Sequence, residues 1–274
     1  MKSHSSASGN MNSAQEVRDS EGRQYHIATA PGEVADYVLL CGDPDRADRT
    51  AKKFERIEIE NRYREYVTIT GVYQGSRITV CATGIGCDNT EIAVVELSQC
   101  VKRPTFLRIG TCGALQDFIK IGDLVISTGA VRLEDTSLNY VPASYPAVAH
   151  YQMVQALEET TSEMNSRAHV GITATCSGFY GAQGRNVGGF RSRKPKLVEE
   201  LQAINVYNLE METSTLLTLS SIQNFRAGAV CVVFANRVED QFISMDKKDE
   251  TEDLLIETGL QTIIRLINWD RQKQ

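Results

Sequence analysis

An arginine set inside a buried strand constrains this chain more than any other feature of its sequence. The run Thr105 to Leu115, Thr-Phe-Leu-Arg-Ile-Gly-Thr-Cys-Gly-Ala-Leu, is apolar enough to be a central strand and leads into a glycine turn. Arg108 stands among Phe106, Leu107 and Ile109, so its charge enters an apolar layer and must meet a carboxylate or an anion there. Gly110 and Gly113 let the backbone turn sharply and approach a ligand closely, and Thr111 between them offers a hydroxyl and an amide. Two structures satisfy this pattern: an oxyanion cradle, or an arginine paired to an acidic side chain to fix the turn.

Upstream of that strand, residues 1–22 are rich in Ser, Asn and charge, the composition of a disordered tail, and the folded domain is expected over 23–274. Asp36 to Cys41 forms a short buried strand that stops at Gly42. Asp43 as cap and Pro44 in the first turn start a helix through Phe54, with Ala47, Ala51 and Phe54 on one face. Arg46 falls in the first turn, where the helix dipole disfavours a cation. Either an anion sits there with it, or it is an ordinary solvated arginine. Arg62 to Thr70 and Arg77 to Thr83 are extended segments separated at Gly75, a hairpin pattern. The second ends in Thr83-Gly84-Ile85-Gly86, but Asn89 stands where a dinucleotide fingerprint has its third glycine and no P-loop lysine follows, which excludes both nucleotide motifs. Asp88 and Glu91 make a capping-box-like start for a helix through about Lys102. A strand, helix, strand order of this kind makes a crossover whose ligands gather at the carboxyl ends of the strands, here marked by Gly42, Gly84 and Gly110.

Downstream, Asp123 to Glu134 and Ala168 to Cys176 have strand character, with a helix through about Asn165 between them. The second strand empties into Ser177 to Arg185, where Phe179, Gln183 and Arg185 among glycines form either a pocket for a flat polar ring or a plain surface loop. Tyr207 to Leu209 is a brief strand before Glu210-Met211-Glu212. Two carboxylates two residues apart at a strand end face one side, which suits the hydroxyls of a sugar and equally suits simple acidic enrichment at a helix start. Arg226 to Asn236 is a further buried strand closed by Arg237, and a long amphipathic helix with Glu250, Glu252 and Asp253 at its start ends the chain.

Composition removes several classes. A formal charge of −6 leaves no basic face for nucleic acid, and no apolar run is long enough for a membrane span or secretory leader, so a cytoplasmic protein is expected. Seven cysteines contain no C-x-x-C pair and sit mostly in apolar runs, as small core residues do in a reducing compartment. The four histidines have no metal-ligand spacing.

Five runs in this order, Gly-Asp-Pro-Asp-Arg at 42–46, Thr-Gly-Ile-Gly at 83–86, Leu-Arg-Ile-Gly-Thr-Cys-Gly at 107–113, Phe-Tyr-Gly-Ala-Gln-Gly-Arg at 179–185 and Glu-Met-Glu at 210–212, resemble those of the uridine phosphorylases of the nucleoside phosphorylase family, from about residue 24 to residue 268. The fold this implies is α/β, a single domain with a central mixed β-sheet, partly barrel-like, flanked by α-helices. The activity implied is reversible phosphorolysis of uridine to uracil and ribose 1-phosphate, with inorganic phosphate as co-substrate and no cofactor. By the resemblance, Gly42, Arg46, Arg108 and Thr111 hold phosphate, joined by Arg64 from a neighbouring copy. Met211 and Glu212 hold ribose, with the neighbour's His26 at its 5′-hydroxyl. Phe179, Gln183, Arg185 and Arg237 hold the base, an arginine at 237 favouring pyrimidine over purine. The family's dimers assemble into a homohexamer. Bacterial members bind a monovalent cation, potassium, between subunits. The equivalent positions here are Glu65, Ile85 and Asn89, with Asn89 replacing a serine, which implies a weakened cation site. Cys41 and Cys112 replace a proline and a small hydroxyl residue beside the phosphate set. The alternatives are a catalytically weak paralogue that binds nucleoside, and a phosphorylase of thymidine or purine nucleosides.

Overall fold

The computed structural model describes residues 15–273. The expected tail therefore lies outside the described residues up to residue 14, and its last part carries an isolated bridge between Arg18 and Gln24. β1 (Tyr37–Cys41) and α1 (Pro44–Ala51) lead into a meander of β2 (Arg56–Tyr63), β3 (Tyr66–Tyr73) and β4 (Ser76–Ala82), and α2 (Cys87–Cys100) crosses to β5 (Thr105–Ala114). There follow β6 (Leu124–Leu133), β7 (Ala147–Val148), α3 (Tyr151–Glu163), β8 (Ala168–Cys176), α4 (Leu197–Ala203) and β9 (Val206–Glu210). The chain closes with α5 (Thr213–Ile222), β10 (Arg226–Asn236), β11 (Gln241–Phe242) and α6 (Met245–Gln272).

Five strands join into a ring: β5 pairs with β10, β10 with β6, β6 with β8, β8 with β9, and β9 returns to β5. From β5 the sheet continues outward through β1, β4, β3 and β2. The result is a single mixed α/β sheet, part barrel and part open, with helices packed on it, as the resemblance implied.

β5 is the junction of these two parts, and its pairing explains where a site opens. β10 runs along one edge from Thr105 to Ala114. A strand has only two edges, so β1 and β9 share the other. The β1 ladder ends at Leu40 opposite Arg108, and the β9 ladder begins at Leu209 opposite Gly113. Between them β1 and β9 part like a fork, leaving Ile109 to Cys112 as its floor. Side-chain alternation sorts the strand's residues. Leu107 and Ile109 join Leu255, Ile256, Leu260 and Ile263 of α6 in one apolar cluster, whereas Phe106 joins residues of α2 and α5 in another. Each fully buried aliphatic side chain contributes about 1.5–3 kcal/mol to this assembly. A methyl group on Gly259 of α6 would lie 2.6 Å from Ile109 Cγ2, so the helix can approach the strand this closely only with glycine there.

Several boundaries differ from expectation for identifiable reasons. The extended segment 62–70 is cut by a tight turn between Tyr63 and Tyr66 in which Arg64 adopts φ 54°, a left-handed conformation that no glycine announces. α1 stops at Ala51, and α2 stops at Cys100 because Val101 is extended. The capping box at Asp88 and Glu91 does not form: the cap is Gly86, with no side-chain cap bond. Asp88 instead accepts a hydrogen bond from Thr136 and Glu91 one from Tyr140, so both tie α2 to the loop after β6. All seven cysteines are buried and free. Among the described residues no helix is long and apolar enough to cross a membrane.

At the amino ends of β1, β5 and β10, opposite the fork, Asp270 of α6 forms a clamp. It accepts from Arg226 at 2.5 and 3.1 Å and from the Tyr37 hydroxyl at 2.6 Å, while Arg226 also reaches Thr105. Burial would raise the Asp270 pKa, but the hydrogen bonds from Arg226 and Tyr37 outweigh it and hold the group below its ordinary 3.8. A depressed carboxyl contributes stability above its unfolded pKa and loses it as pH falls through the folded one. Thermal melts between about pH 6 and pH 2 are therefore expected to show Asp270→Asn melting about 2–4 °C below the parent near neutrality, with the gap closing at the acid end.

Candidate active site

The fork collects the ends of β1, β5 and β9. Gly42 follows β1, and a methyl on it would stand 3.2 Å from the Gly84 carbonyl oxygen, so the loops after β1 and β4 meet here. Asp43 caps α1 by accepting from Asp45, and Arg46 of that helix turns inward, 5% exposed. Its Nη1 reaches the Ile109 carbonyl on the fork floor at 3.4 Å and its Nη2 donates to Glu252 of α6 at 3.0 Å. Its buried Nε has no partner.

Arg108 resolves toward the carboxylates. Nε donates to Glu210 at 3.0 Å and Nη2 to Glu212 at 2.5 Å. The guanidinium folds back along the strand, and a methyl on Gly110 would lie 2.7 Å from Nη2, which is why glycine occupies that position. The two carboxylates then differ in task. Glu210 accepts from the backbone N–H groups of Glu212 and Thr213 and from the Thr175 hydroxyl, so it is the group that caps α5. Glu212 occupies the cap position itself but makes no cap bond; its carboxylate crosses to Arg108 and to the Gly86 amide at 2.7 Å. That bond gives the Thr-Gly-Ile-Gly loop a role, since Gly86 at φ 105° turns its N–H onto Glu212. Burial raises the Glu212 pKa against the pull of Arg108, with Glu210 adding repulsion. Burial also opposes the Arg108 charge, but Glu212 and Glu210 more than offset this and push its pKa above its ordinary value. Met211 lies between the two acids, its carbonyl accepting from the Cys87 thiol. Thr111 is part-exposed on the fork floor, and three residues along a strand places it on the sheet face opposite Arg108, so one anion meets both only at the open edge.

The base set assembles on the loop after β8 and at the end of β10. Arg185 lies with Cζ 3.9 Å from the Phe179 ring centre and donates to Gln183 Oε1 at 2.5 Å and to the Phe179 carbonyl. Gly184 at φ 75° makes the turn that brings them together. Arg237 donates to the Gln183 carbonyl at 3.2 Å, and its buried Nη1 has no partner. Its stem crosses Gly113, where a methyl would lie 3.2 Å from Cγ, so the same glycine-rich strand end supports the base set. Burial lowers the Arg185 pKa to about 10, with repulsion from Arg237 adding to it, and burial lowers that of Arg237.

His26 and Arg64 are brought to each other rather than to Arg108. His26 Nδ1 pairs with Glu96 at 2.6 Å, and Arg64 donates to Tyr25, whose ring packs edge-on against His26. Glu65 and Asn89 both abut Gly84, while Ile85 between is 71% exposed. Among the described residues no cluster of three or more His, Cys, Asp or Glu is arranged to hold a metal ion. Glu252 and the capping role of Glu210 escaped sequence reasoning. The sequence pattern puts Glu252 at the start of the last helix, whereas α6 begins at Met245 and carries Glu252 about two turns in, and nothing local says which arginine it meets.

The chain belongs to the phosphorylase superfamily, whose model matches residues 36–268. It is 45% identical over 264 residues to the uridine phosphorylase of Thermococcus kodakarensis, covering 96% of this chain and 93% of that one. It is 36% identical over 252 residues to that of Escherichia coli, covering 89% and 98%. It is also 36% identical over 228 residues to a guanosine phosphorylase of Halorubrum lacusprofundi, covering 83% and 90%. The crystal structure of uridine phosphorylase from Vibrio fischeri superposes with a TM-score of 0.81 at 29% identity, over 90% of this chain and 100% of that one.

Proposed function

We propose that this chain catalyses the reversible phosphorolysis of uridine to uracil and ribose 1-phosphate in pyrimidine salvage. The observation that carries this reading is the pairing of Arg185 with Gln183 beside Arg237 at the mouth of a fork that also holds Arg46, Arg108 and Glu212. An amide that both donates and accepts, next to two arginines, matches the two carbonyls and N–H of uracil, and Phe179 supplies a ring face. The likeness to uridine phosphorylases over nearly the whole chain supports the same conclusion.

In this mechanism phosphate, held by Gly42, Arg46, Arg108 and Thr111, attacks the anomeric carbon as the bond to uracil lengthens. The sugar gains oxocarbenium character, which the Glu212 carboxylate offsets while Met211 and Glu212 hold the ribose. The electron pair of the breaking bond leaves on uracil, where Arg185, Gln183 and Arg237 stabilise it. No enzyme nucleophile or cofactor takes part.

Charge balance supports a shared site. At the fork Arg46 and Arg108 already face three buried glutamates, Glu210, Glu212 and Glu252, and Arg49 behind them is shared between Glu252, Asp249 and Asp253. A phosphate dianion thus calls for a further cation, and the exposed Arg64, with His26 near it, supplies one from a neighbouring copy. The reading is of a cytoplasmic enzyme whose dimer is the smallest complete unit and whose dimers close into a homohexamer. No monovalent cation is assigned to Glu65, Ile85 and Asn89.

The guanosine phosphorylase relative gives a second reading, purine specificity. A steady-state comparison of uridine, thymidine, inosine and guanosine with and without phosphate separates them. Uracil release from uridine that depends on phosphate and exceeds inosine and guanosine turnover by about 10²-fold or more is expected, because Arg237 beside Arg185 and Gln183 favours a pyrimidine over a purine. Faster guanosine turnover would reverse the assignment, and release without phosphate would make the chain a nucleosidase.

A further inference from the structure

Glu252 is a carboxylate buried to 3% exposure in the helix that ends the chain, yet it stands among the cations of the fork. Its Oε1 accepts from Arg46 Nη2 at 3.0 Å and its Oε2 from Arg49 Nη1 at 2.6 Å. Arg46 and Arg49 are three residues apart on one face of α1. Arg49 continues outward to Asp253 at 2.8 Å and to Asp249. The bonds therefore form a line from solvent to fork: Asp249 and Asp253, Arg49, Glu252, Arg46. Arg49 is already served by two further acids, so the partner that depends on Glu252 is Arg46.

Among the described residues the Arg46 guanidinium makes two hydrogen bonds, to Glu252 and to the Ile109 carbonyl at a long 3.4 Å. Both engage the Nη atoms. The Nε edge is left without a partner although it is buried, and a buried, unsatisfied guanidinium N–H costs free energy unless a ligand meets it. An arginine with four rotatable side-chain bonds would lose that orientation if Glu252 were removed.

We propose that Glu252 is a positioning residue of the anion subsite, which clamps Arg46 to α6 so that its free Nε edge is presented to phosphate. This rests on the proposed phosphorolysis only for the name of the anion. The same geometry explains why α6 carries a buried acid about two turns from its start: the helix that covers β5 on one side also sets the phosphate arginine on its edge.

The experiment compares the parent with Glu252→Ala, the isosteric Glu252→Gln, and Glu257→Gln as control. Glu257 lies on the same helix and pairs with Lys53 and Tyr73 away from the fork. Phosphate binding is read by calorimetry with inorganic phosphate, and KM values by steady-state assay. The expected result is a phosphate Kd and KM raised about tenfold in Glu252→Ala and about threefold in Glu252→Gln, which keeps one acceptor oxygen. The nucleoside KM and the kcat at saturating phosphate stay within about twofold, and Glu257→Gln matches the parent. If Glu252→Ala does not fold, Glu252→Gln alone decides. Unchanged phosphate binding in a folded variant, a parallel rise in both KM values, an equal effect in Glu257→Gln, or a parent that binds no phosphate would each overturn the proposal. A parent that binds phosphate but turns over no nucleoside defeats the functional reading alone, because the calorimetric comparison still stands.

Discussion

Arg108→Met is expected to lose about 3–5 kcal/mol of folding stability and to abolish phosphorolysis to within the limit of assay. The side chain is the only cation bonded to both Glu210 and Glu212 among the described residues, and all three groups are buried. Removing it leaves two carboxylates facing each other out of water, the case in which a broken buried pair costs most. Part of that cost will be met by protonation, since Glu212 is already held above its ordinary range, so the loss should shrink as pH falls. Arg108→Lys keeps a charge but not the two-pronged geometry and should fall between. Denaturant melts at two pH values and a fixed-time assay for uracil check all three points. A variant as stable as the parent at neutral pH would mean that the triad is neutral in the folded protein.

Glu212→Gln tests the opposite balance. Its carboxyl is pushed up by burial and by Glu210, so the folded state binds that proton more tightly than the unfolded one does. Ionised Glu212 thus detracts from stability, and the deficit appears as pH rises through its unfolded value. Glutamine removes the charge and keeps the shape. The variant is expected to melt at the same temperature as the parent or higher at neutral pH, while kcat drops on the order of 10²–10³-fold, because no carboxylate remains to offset charge on the sugar. Uracil binding measured by calorimetry should change by less than about threefold, since the base set lies on a different loop. Retained turnover would remove Glu212 from the chemistry, and a lower melting temperature would show that its bond to Arg108 outweighs its burial.

The features legible from sequence were those with a local cause. Strands β5, β8 and β10 follow from runs rich in apolar and β-branched residues, and the glycine-bounded loops mark their ends. Arg108 shows the limit of that reading. Its neighbours proved that the charge needed a partner, but both candidate partners, an anion and an acid, satisfied the same pattern, and the structure places two acids there. What was hidden depends on contacts distant in sequence. Glu252 meets Arg46 across 206 residues. Asp88 and Glu91 have the spacing of a capping box, yet Thr136 and Tyr140 compete for them and win. α4 begins at Leu197 with no side-chain cap from Lys196, and β7 and β11 are two residues each, too short for a period to register. The turn at Arg64 lacks the glycine that would have announced it.

The divided edge of β5 also bears on how such an enzyme can change. Because β1 and β9 hold separate halves of one edge while β10 fastens the whole of the other, the groups assigned to phosphate and ribose are set by the frame, and those assigned to the base hang mainly on the segment between β8 and α4. Nucleobase preference can thus be altered by exchanging that insert together with Arg237 at the end of β10, with the bond-breaking apparatus left in place. A chain built this way can diversify its substrates without refolding.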